Sequence, residues 1–374
     1  MAQRDGPRRS PTRVGIVGAG AAGVGAAYAL RETDAEVTIF EKSGGVCGRA
    51  ATRRKHGCHY DHGANYVQAT DDRTADLLER LGRSGLVEID EPVWTFDAAG
   101  TVAPGDDRES RKYTWTAGIT QLAKRLLART DATVHRRTRI AEIHVDGDAD
   151  PRVWSLVAAD GDVHGPFDVV LLTPPAPQTA ALLRATAWDD PRRERLAAAV
   201  DAVPYRTIRT VVLHYPFRET YPWYGLVNTD REHAIGWLSR EECKRGHVPD
   251  GESLLVVQMS PEWSRRRYDD PLSAVVDDVA DRVATLIEDD RYRDPDWTDD
   301  QGWRYALPDD AADESPIDDA ADESPIDDVA TESLLDEAAD AGLCVAGDWV
   351  AGEGRVPAAL WNGYETGERI AARR

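Results

Sequence analysis

The stretch Arg13-Val-Gly-Ile-Val-Gly-Ala-Gly-Ala-Ala-Gly, which ends at Gly23, decides the fold of this chain. It contains an apolar strand that runs into a glycine turn of the form GxGxxG, and a helix of small residues is predicted over 24–30. A second apolar strand, over 37–40, then ends at Glu41. A strand, a glycine turn, a helix and a second strand in this order are typical of a dinucleotide-binding unit.

Each glycine of this turn has a structural role. Gly18 permits the tight turn, Gly20 lets the backbone approach a pyrophosphate, and Gly23 allows the helix to pack closely on the strand. The helix N-terminus then presents N–H groups to the diphosphate. Glu41 can accept hydrogen bonds from an adenosine ribose. The residues of this turn expected to contact the dinucleotide are Gly18, Gly20, Ala21, Ala22 and Gly23.

The composition indicates an acidic protein of two domains. A chain of 374 residues is too long for one ordinary core. It has 67 acidic and 45 basic residues, a formal net charge of −22, and only five of the basic residues are lysines. This composition is typical of cytoplasmic proteins from salt-loving organisms. The alternative interpretation is an ordinary acidic protein. Nucleic acid and anionic membranes are poor partners for such a charge.

The cysteines and the hydropathy predict a cytoplasmic protein. The four cysteines form no CxxC pair, which fits a reducing compartment. No run of 18 apolar residues occurs, so we expect no membrane span. Residues 1–12 lack the apolar segment of a signal peptide and are expected to form a disordered tip. Monomer and homodimer stay open as alternatives.

Hydrophobic patterns divide the chain into two discontinuous domains and a loop. The dinucleotide-binding domain is expected to comprise residues 1–75, 114–184 and 335–374. The substrate domain is expected to comprise residues 76–113 and 185–308. An acidic nonapeptide is repeated in tandem over 309–326, which predicts a solvated loop without chemistry over 309–334.

Strand and helix patterns fill these domains. In the first domain they predict an amphipathic helix within 113–130, a β-meander over 132–158 and a buried strand from Asp168. In the second they predict an antiparallel sheet, followed by a helix from Pro271. A short strand from Leu343 and a helix from Val356 end the chain.

Further motifs accompany the glycine turn. They are Gly44-Gly-Val-Cys-Gly-Arg-Ala-Ala-Thr-Arg-Arg, Tyr60-Asp-His-Gly-Ala-Asn-Tyr, Gln258-Met-Ser-Pro-Glu-Trp-Ser, Trp303-Arg-Tyr-Ala-Leu-Pro and Ala346-Gly-Asp. In this order they resemble the flavin-dependent amine oxidoreductase superfamily, and its renalase-like branch most of all. The resemblance covers most of the chain. It implies an α/β fold, with an FAD-binding Rossmann-like domain of the glutathione-reductase and amine-oxidase type beside an α+β substrate domain with an antiparallel sheet.

The resemblance implies FAD as the cofactor and suggests its contacts. Gly48 and Arg49 would contact the phosphate and ribityl side, Ile140 the adenine through its backbone, and Asp348 the ribityl chain or the pyrophosphate. Val356 would meet the pyrimidine edge of the flavin, where the positive end of its helix favours electron uptake. The other expected cofactor contacts are Lys42, Gly63, Ala64, Asn65, Tyr66, Thr173, Gly347 and Ala359.

Cys47 departs from the family pattern, which usually has a glycine at this position. Its side chain either crowds the cofactor or is accommodated by the flexibility of Gly44 and Gly45. We do not expect a covalent flavin–cysteine bond, because the position belongs near the phosphates. A second group invites a metal interpretation, but its spacing fits no standard zinc pattern and we expect no metal. This group is His56, Cys58, His59, Asp61 and His62.

Four residues are candidates for the wall around the flavin ring and the substrate. The family match places His62 near the ring, and a purely loop-orienting role is the alternative. Lysines of related oxidases lie near flavin N5, but for Lys244 a solvated loop position is favoured. Trp303 and Tyr305 are placed on the substrate side together with the intervening Arg304, and an aromatic core strand with a structural arginine is the alternative.

The sequence therefore predicts an FAD-dependent oxidoreductase. We expect a C–H next to nitrogen to deliver hydride to flavin N5, with O2 as the re-oxidant and H2O2 as a product. The renalase resemblance implies mis-reduced dihydronicotinamides as the small-molecule substrates, with amines and then isoprenoids as alternatives. A non-catalytic nucleotide or prenyl-type binder and an NADP dehydrogenase are the competing classes. The intact glycine turn and Asp348 argue against the non-catalytic binder. The Gly347-Asp348 pair and the helix from Val356 argue against the NADP dehydrogenase.

Overall fold

The computed structural model describes residues 10–105, 111–146, 152–309 and 329–373. The first nine residues of the expected N-terminal tip and the tandem repeat beyond Asp309 lie outside these ranges. In chain order the strands are β1 (Arg13–Val17), β2 (Glu36–Glu41), β3 (Thr52–Lys55), β4 (Cys58–Asp61), β5 (Val67–Ala69), β6 (Leu86–Glu88), β7 (Val93–Phe96), β8 (Val102–Ala103), β9 (Arg111–Trp115), β10 (Thr133–Arg136), β11 (Ile140–Asp146), β12 (Val153–Ala158), β13 (Val163–Phe167), β14 (Val169–Leu172), β15 (Tyr205–Tyr215), β16 (Gly225–Asn228), β17 (Ile235–Arg240), β18 (Ser253–Met259), β19 (Trp297–Pro308) and β20 (Leu343–Val345).

The helices alternate with these strands. They are α1 (Ala21–Leu30), α2 (Asp72–Leu81), α3 (Gln121–Leu127), α4 (Ala176–Arg184), α5 (Pro191–Asp201), α6 (Pro261–Arg266), α7 (Leu272–Ile287), α8 (Val329–Asp340) and α9 (Val356–Ala372). Three short 3-10 turns add to them, at Gly48–Ala50, Glu241–Cys243 and Asp290–Arg293. Within the described ranges, no helix is both long enough and apolar enough to cross a membrane.

A five-stranded parallel sheet forms the first half of the fold. Its order is β10-β2-β1-β14-β20, so the strand that precedes the glycine turn lies at the centre. The inner strands are almost wholly apolar because both faces of the sheet are covered. Helices α1 and α9 pack on one face, and the β11-β12-β13 sheet lies with α4 and α5 on the other. This is a Rossmann-like, α/β arrangement.

Two helices of this domain approach each other through glycines. A Cβ on Gly363 of α9 would lie 2.0 Å from the backbone oxygen of Ala22 in α1, and a Cβ on Gly25 would lie 2.3 Å from that of Leu360. No side chain fits such distances, so the glycines set the contact between α1 and α9. This contact holds the C-terminal helix against the helix that follows the glycine turn.

One expectation for this half is wrong in detail. The expected β-meander included β10, but β10 pairs in parallel with β2 at the edge of the five-stranded sheet. Only β11, β12 and β13 form the antiparallel group. The expected helix within 113–130 is confirmed as α3, and the residues up to Trp115 belong to β9. Short strands do not reveal their partners, since pairing depends on residues far away in sequence.

A seven-stranded sheet forms the second half. Its order is β19-β15-β18-β17-β16-β7-β8. Helices α6 and α7 cover one face, with Val275, Val279 and Val283 of α7 in the core. The sheet is antiparallel as expected except between β16 and β7, which run parallel. On the other face the β3–β4 hairpin packs through Cys58 and Tyr60.

Candidate active site

A cavity of about 2920 Å³ runs along the C-terminal edge of the parallel sheet and continues to the seven-stranded sheet. Four strand ends meet there, since β1 leads to Gly18, β2 ends at Glu41, β14 leads to Thr173 and β20 leads to Gly347 and Asp348. Ordinary small-molecule sites have volumes of roughly 300–1,000 Å³. The cavity therefore has room for a dinucleotide and a second ligand.

The three glycines of the turn have different surroundings: protein atoms lie close to Gly18 and Gly23, and open space lies beside Gly20. A Cβ on Gly18, whose φ is +105°, would lie 2.5 Å from Oγ1 of Thr173. A Cβ on Gly23 would lie 2.0 Å from the backbone oxygen of Gly18. A Cβ on Gly20 would meet no atom within 4 Å. Gly23 thus serves the packing of α1 and lies behind the cavity wall, whereas Gly20 leaves an open space at the start of α1.

Glu41 fixes this turn from the end of β2. Its side chain is 5% exposed and lines the cavity. One carboxylate oxygen accepts the N–H of Ala19 at 2.9 Å, and the other accepts the N–H of Ser43 at 2.7 Å. Because each carboxylate oxygen has two acceptor sites, Glu41 retains capacity for the hydroxyls of a ribose.

Arg49 and Asp348 form a bidentate ion pair on the cavity wall. Nη2 of Arg49 lies 2.8 Å from Oδ1 of Asp348, and Nη1 lies 2.7 Å from Oδ2. Burial opposes the charge of Arg49, but the neighbouring Asp348 outweighs it and raises the pKa of the guanidinium. Arg49 also donates to the backbone oxygen of Ala306 at 3.0 Å. The pair therefore joins the 3-10 turn at Gly48–Ala50 to the segment after β20, and Arg49 also joins both to β19.

The segment from His62 to Asn65 is held from behind by three side chains. Each donates a hydrogen bond to a backbone oxygen of the segment, so the loop has little freedom to shift. The donors are Trp303 to His62 at 3.2 Å, Gln258 to Gly63 at 2.7 Å and Lys244 to Asn65 at 2.7 Å. The backbone of Ala64 donates to that of Arg49 at 3.0 Å. The seven-stranded sheet thereby positions a cavity-lining loop of the first half.

Lys244 is not a solvated loop lysine, so this expectation is wrong. The residue is 1% exposed, and its ammonium lies 2.6 Å from Glu241 and 3.2 Å from Asp61. Burial disfavours the ammonium, but the two carboxylates outweigh it and raise the pKa of Lys244. The 3-10 turn at Glu241–Cys243 folds the loop back onto β4, which places the lysine behind the wall. Lys244 does not line the cavity. Its ammonium is connected to the cavity wall by the hydrogen bond to the backbone oxygen of Asn65.

His62 is an uncharged residue of the wall. Burial lowers the pKa of its imidazole to about 4, and the nearby charge of Arg53 acts in the same direction. Its ring centre lies 5.3 Å from that of Trp303. Nδ1 is buried and has no hydrogen-bond partner among the described residues. The imidazole is therefore neutral at neutral pH, and its buried Nδ1 is unused.

Aromatic side chains surround this position. Trp303 and Tyr305 both line the cavity, and so do Tyr66 and Trp237, whose ring centres are 6.3 Å apart. Strict alternation along β19 would send neighbouring residues to opposite faces of the sheet. The pairing of β19 with β15 is irregular here, because Arg206 pairs with Leu307 while Ile208 pairs with Trp303. Such a bulge lets consecutive side chains face the cavity.

Cys47 occupies a conformation that favours glycine. Its φ is +83°, in the left-handed region, and its backbone N–H donates to Ala19 at 2.8 Å. The side chain is 2% exposed and packs in the first core. Burial raises the pKa of its thiol to about 12. The loop therefore accommodates the cysteine by turning its sulfur inward, where no thiolate forms at neutral pH.

Possible metal ligands meet at two places within the described residues. One group is Cys58, His214 and Glu252, and the other is Asp61, Glu241 and His247. Each contains only one member of the histidine-rich sequence cluster. In the second group the ammonium of Lys244 already lies between the two carboxylates.

The remaining expected contacts lie on the cavity wall. They are Ala21, Ala22, Lys42, Gly48, Gly63, Ala64, Asn65, Tyr66, Ile140, Thr173, Gly347, Val356 and Ala359. The first turn of α9 contains no acidic residue and faces the cavity, so its partial positive charge is uncompensated there. The open space at Gly20 and this helix end therefore line the same cavity.

Sequence reasoning missed several residues of the site. Asp61 and Gln258 support the 62–65 loop, and both were present in the quoted motifs without an assigned role. Trp237 lines the cavity, but its strand shows no feature that separates it from a core tryptophan. Sequence reasoning also assigned no role to several arginines that line the cavity, among them Arg206, Arg265 and Arg355.

A Rossmann-like sheet, a glycine turn and a cavity along its edge define the class of dinucleotide-binding oxidoreductases. Residues 16–81 match the NAD(P)-binding Rossmann-like domain, and residues 97–373 match the flavin containing amine oxidoreductase family. The chain belongs to this second family. It is an FAD-dependent oxidoreductase, which favours an enzyme over the non-catalytic binder considered above. The residues described here fit FAD, since Gly20, Glu41 and the α9 end lie along one cavity.

Two relatives are similar to parts of this chain. The chain is 38% identical to protoporphyrinogen oxidase 2 of Arabidopsis thaliana over 73 residues, which are 20% of this chain and 14% of that protein. It is 31% identical to polyamine oxidase 4 of Oryza sativa subsp. japonica over 127 residues, which are 34% of this chain and 25% of that protein. The matches thus span a quarter or less of these relatives.

Solved structures share the fold over nearly the whole chain. A protein from Exiguobacterium sp. 255-15, named as a protoporphyrinogen oxidase, superposes with a TM-score of 0.73 at 16% identity, over 97% of this chain and 99% of its own. A putrescine oxidase bound to putrescine superposes with a TM-score of 0.67 at 12% identity, over 97% of this chain and 99% of its own. At these identities the likeness concerns the fold alone.

Proposed function

We propose that this enzyme oxidises dihydronicotinamides that are reduced at the wrong ring carbon, as the renalase-like motifs suggest. The ring carbon next to nitrogen loses a hydride and the ring becomes an aromatic pyridinium cation. O2 takes up the hydride equivalent together with one proton from solvent and becomes H2O2. When bound, FAD supplies the hydride acceptor at N5 and the route to O2.

The neutral aromatic wall is the observation that carries this proposal. His62 is uncharged at neutral pH because its pKa is lowered to about 4, and burial raises the pKa of Tyr66, which keeps its phenol protonated. Trp303 completes the wall beside His62. A flat, uncharged ring can stack on such side chains.

The same wall is less suited to an amine. Most aliphatic amines are protonated at neutral pH and must lose that proton before hydride can leave, which calls for a base. The nitrogen of a dihydronicotinamide has no proton to lose. His62, with an unused Nδ1 and a low pKa, is a weak base. The hydride reaction therefore needs no proton-transfer residue, and the chain's contribution is to position the ring.

The hydrogen bonds behind the 62–65 loop provide that positioning. Trp303, Gln258 and Lys244 fix three successive parts of the loop, and Arg49 fixes Ala64. A correctly placed pair of reacting atoms can lower a barrier substantially, because the entropy of alignment is already lost on binding. The rigid loop would hold the substrate ring in register with the flavin.

Anaerobic stopped-flow measurement of flavin bleaching tests the proposal. The protein, in high salt, is mixed with 2- and 6-dihydronicotinamide isomers, the ordinary 4-dihydro isomer, putrescine, spermidine and protoporphyrinogen. We expect rapid bleaching by the 2- or 6-dihydro isomers and slow or no bleaching by the amines. Aerobic turnover should then yield H2O2 in proportion to the pyridinium product. Fast bleaching by an amine or by the tetrapyrrole, with none by the nicotinamides, would overturn the assignment.

A further inference from the structure

The charge of the cavity wall is opposite to that of the whole chain. The chain has 45 basic and 67 acidic residues. Among the described residues that line the cavity, ten are lysine or arginine and seven are aspartate or glutamate. A cleft lined by one sign of charge concentrates ligands of the other sign, even when the net charge of the protein repels them.

Several of these arginines are already neutralised by carboxylates. They form short ion pairs, so they add little free positive charge to the cavity. The pairs are Arg49 with Asp348 at 2.7 Å, Arg53 with Asp299 at 2.7 Å and Arg206 with Asp309 at 2.6 Å.

Arg265 and Arg304 differ from these arginines. Both line the cavity and both are exposed. Within the described part of the chain, neither guanidinium forms an ion pair or a hydrogen bond with a protein group. The carboxylate of Glu262, which also lines the cavity, is bound by Arg266 at 2.7 Å. Among the described residues, the guanidinium groups of Arg265 and Arg304 are thus left without an anionic partner.

Tyr268 contacts Arg304 through its ring and follows Arg265 closely in the chain. The guanidinium of Arg304 lies over its ring, 4.6 Å from the ring centre, and Arg265 precedes it by three residues at the end of α6. Gly302 makes room for the ring, since a Cβ there would lie 2.9 Å from Cζ of Tyr268. Arg304 lies between Trp303 and Tyr305 in the irregular part of β19, and all three residues line the cavity. The strand and the helix end therefore each contribute an arginine to the cavity wall.

We propose that Arg265 and Arg304 form an anion-binding subsite for the phosphate of a dihydronicotinamide nucleotide, next to the aromatic wall that takes its ring. The inference rests on the proposed function and narrows its substrates to phosphorylated, anionic forms. A planar guanidinium matches a phosphate with paired N–H donors, and such charge-assisted bonds are the stronger kind. Stacking on Tyr268 holds the guanidinium of Arg304 in place before the ligand binds.

A matched pair of substrates tests this subsite. Dihydronicotinamide riboside and its 5′-phosphate, with the same ring isomer, differ only in the phosphate. In high-salt buffer, we expect the phosphorylated compound to bleach the flavin with a half-saturating concentration lower by about tenfold or more, at a similar limiting rate. The Arg265→Gln, Arg304→Gln double variant should lose this preference while oxidising the riboside as before. Arg282→Gln is the control, because Arg282 pairs with Asp278 on α7 outside the cavity.

Binding of the oxidised compounds separates this inference from the proposed function. Nicotinamide mononucleotide and nicotinamide riboside also differ only in the phosphate, and neither can reduce the flavin. Titration calorimetry with the two compounds therefore measures the effect of the phosphate on binding without turnover. A phosphate preference that the double variant abolishes supports the subsite even if neither reduced compound bleaches the flavin. Equal affinities for both ligands, in the wild type as in the double variant, would overturn the subsite and leave the ring chemistry untouched.

Discussion

Gly20 and Gly23 belong to the same turn, but the space around them differs. A Cβ on Gly20 would project into the open cavity, whereas one on Gly23 would collide with the backbone of Gly18 at 2.0 Å. The φ of Gly20 is −74°, a value that alanine adopts without strain. The fold therefore requires Gly23, while Gly20 is free to serve the cofactor.

Alanine substitutions at these two positions should have different consequences. We expect Gly20→Ala to fold with a thermal midpoint close to that of the wild-type apoprotein but to bind FAD at least about tenfold more weakly, a loss of roughly 1.4 kcal/mol. Gly23→Ala should be destabilised by about 1–3 kcal/mol or more through overpacking. Circular dichroism and calorimetric titration of the apoproteins measure both effects. Unchanged FAD affinity in Gly20→Ala would place the pyrophosphate elsewhere.

His62 predicts a dependence of stability on pH. Its pKa is lowered to about 4 in the folded chain, whereas an unfolded histidine titrates near 6.5. Between these values the unfolded chain binds more protons, so stability falls as pH falls from about 6.5 to about 4. We expect the residue to contribute roughly 2–3 kcal/mol to this loss. Urea unfolding at several pH values should show a shallower decline in His62→Gln, and parallel curves would contradict it.

At the scale of elements, the 62–65 loop depends on a buried charge cluster. Lys244 is the ammonium of that cluster, and Asp61 and Glu241 are its fully buried carboxylates. Removing the lysine leaves two buried carboxylates without its ammonium, while His247 remains beside Glu241, with Nδ1 at 2.8 Å. The hydrogen bond of Lys244 to the backbone of Asn65 is lost as well.

Lys244→Met should therefore be destabilised by about 3–5 kcal/mol, with a shifted absorption spectrum of any flavin that remains bound. Lys124→Met is the matched control, because Lys124 is exposed on α3 and should change stability by less than about 0.5 kcal/mol. Denaturant unfolding gives both values. The double variant with Glu241→Gln should recover part of the loss. A Lys244→Met protein as stable as the control would show that the cluster does not hold the loop.

Elements whose signals are local were predictable from the sequence. The glycine turn lies between β1 and α1, and β2 ends at Glu41, because apolar runs and turn residues there are contiguous. The partner of β10 was missed, since an edge strand of four mostly polar residues is compatible with several neighbours. Lys244 was misjudged for the same reason, because its partner Asp61 is 183 residues away. The β19 bulge also has no local signature.

At the scale of the whole molecule, the net charge of −22 predicts a response to salt. Repulsion among like charges destabilises the compact state at low ionic strength, and the screening length falls from about 10 Å at 0.1 M to about 3 Å at 1 M. We expect the thermal midpoint to rise steeply with KCl over this interval. Calorimetric scans at stepwise KCl concentrations measure it. A midpoint that does not change between 0.1 and 1 M would contradict the halophilic interpretation of the composition.

The most direct measurement is the flavin content of the purified protein in high salt. An extended FAD from the Gly20 turn to the N-terminus of α9 should make the protein yellow, and heat should release one unmodified FAD per chain because Cys47 is a buried thiol. Added FAD should restore colour to stripped protein. Colourless protein that takes up no FAD would contradict the account, since the cavity would then serve another ligand.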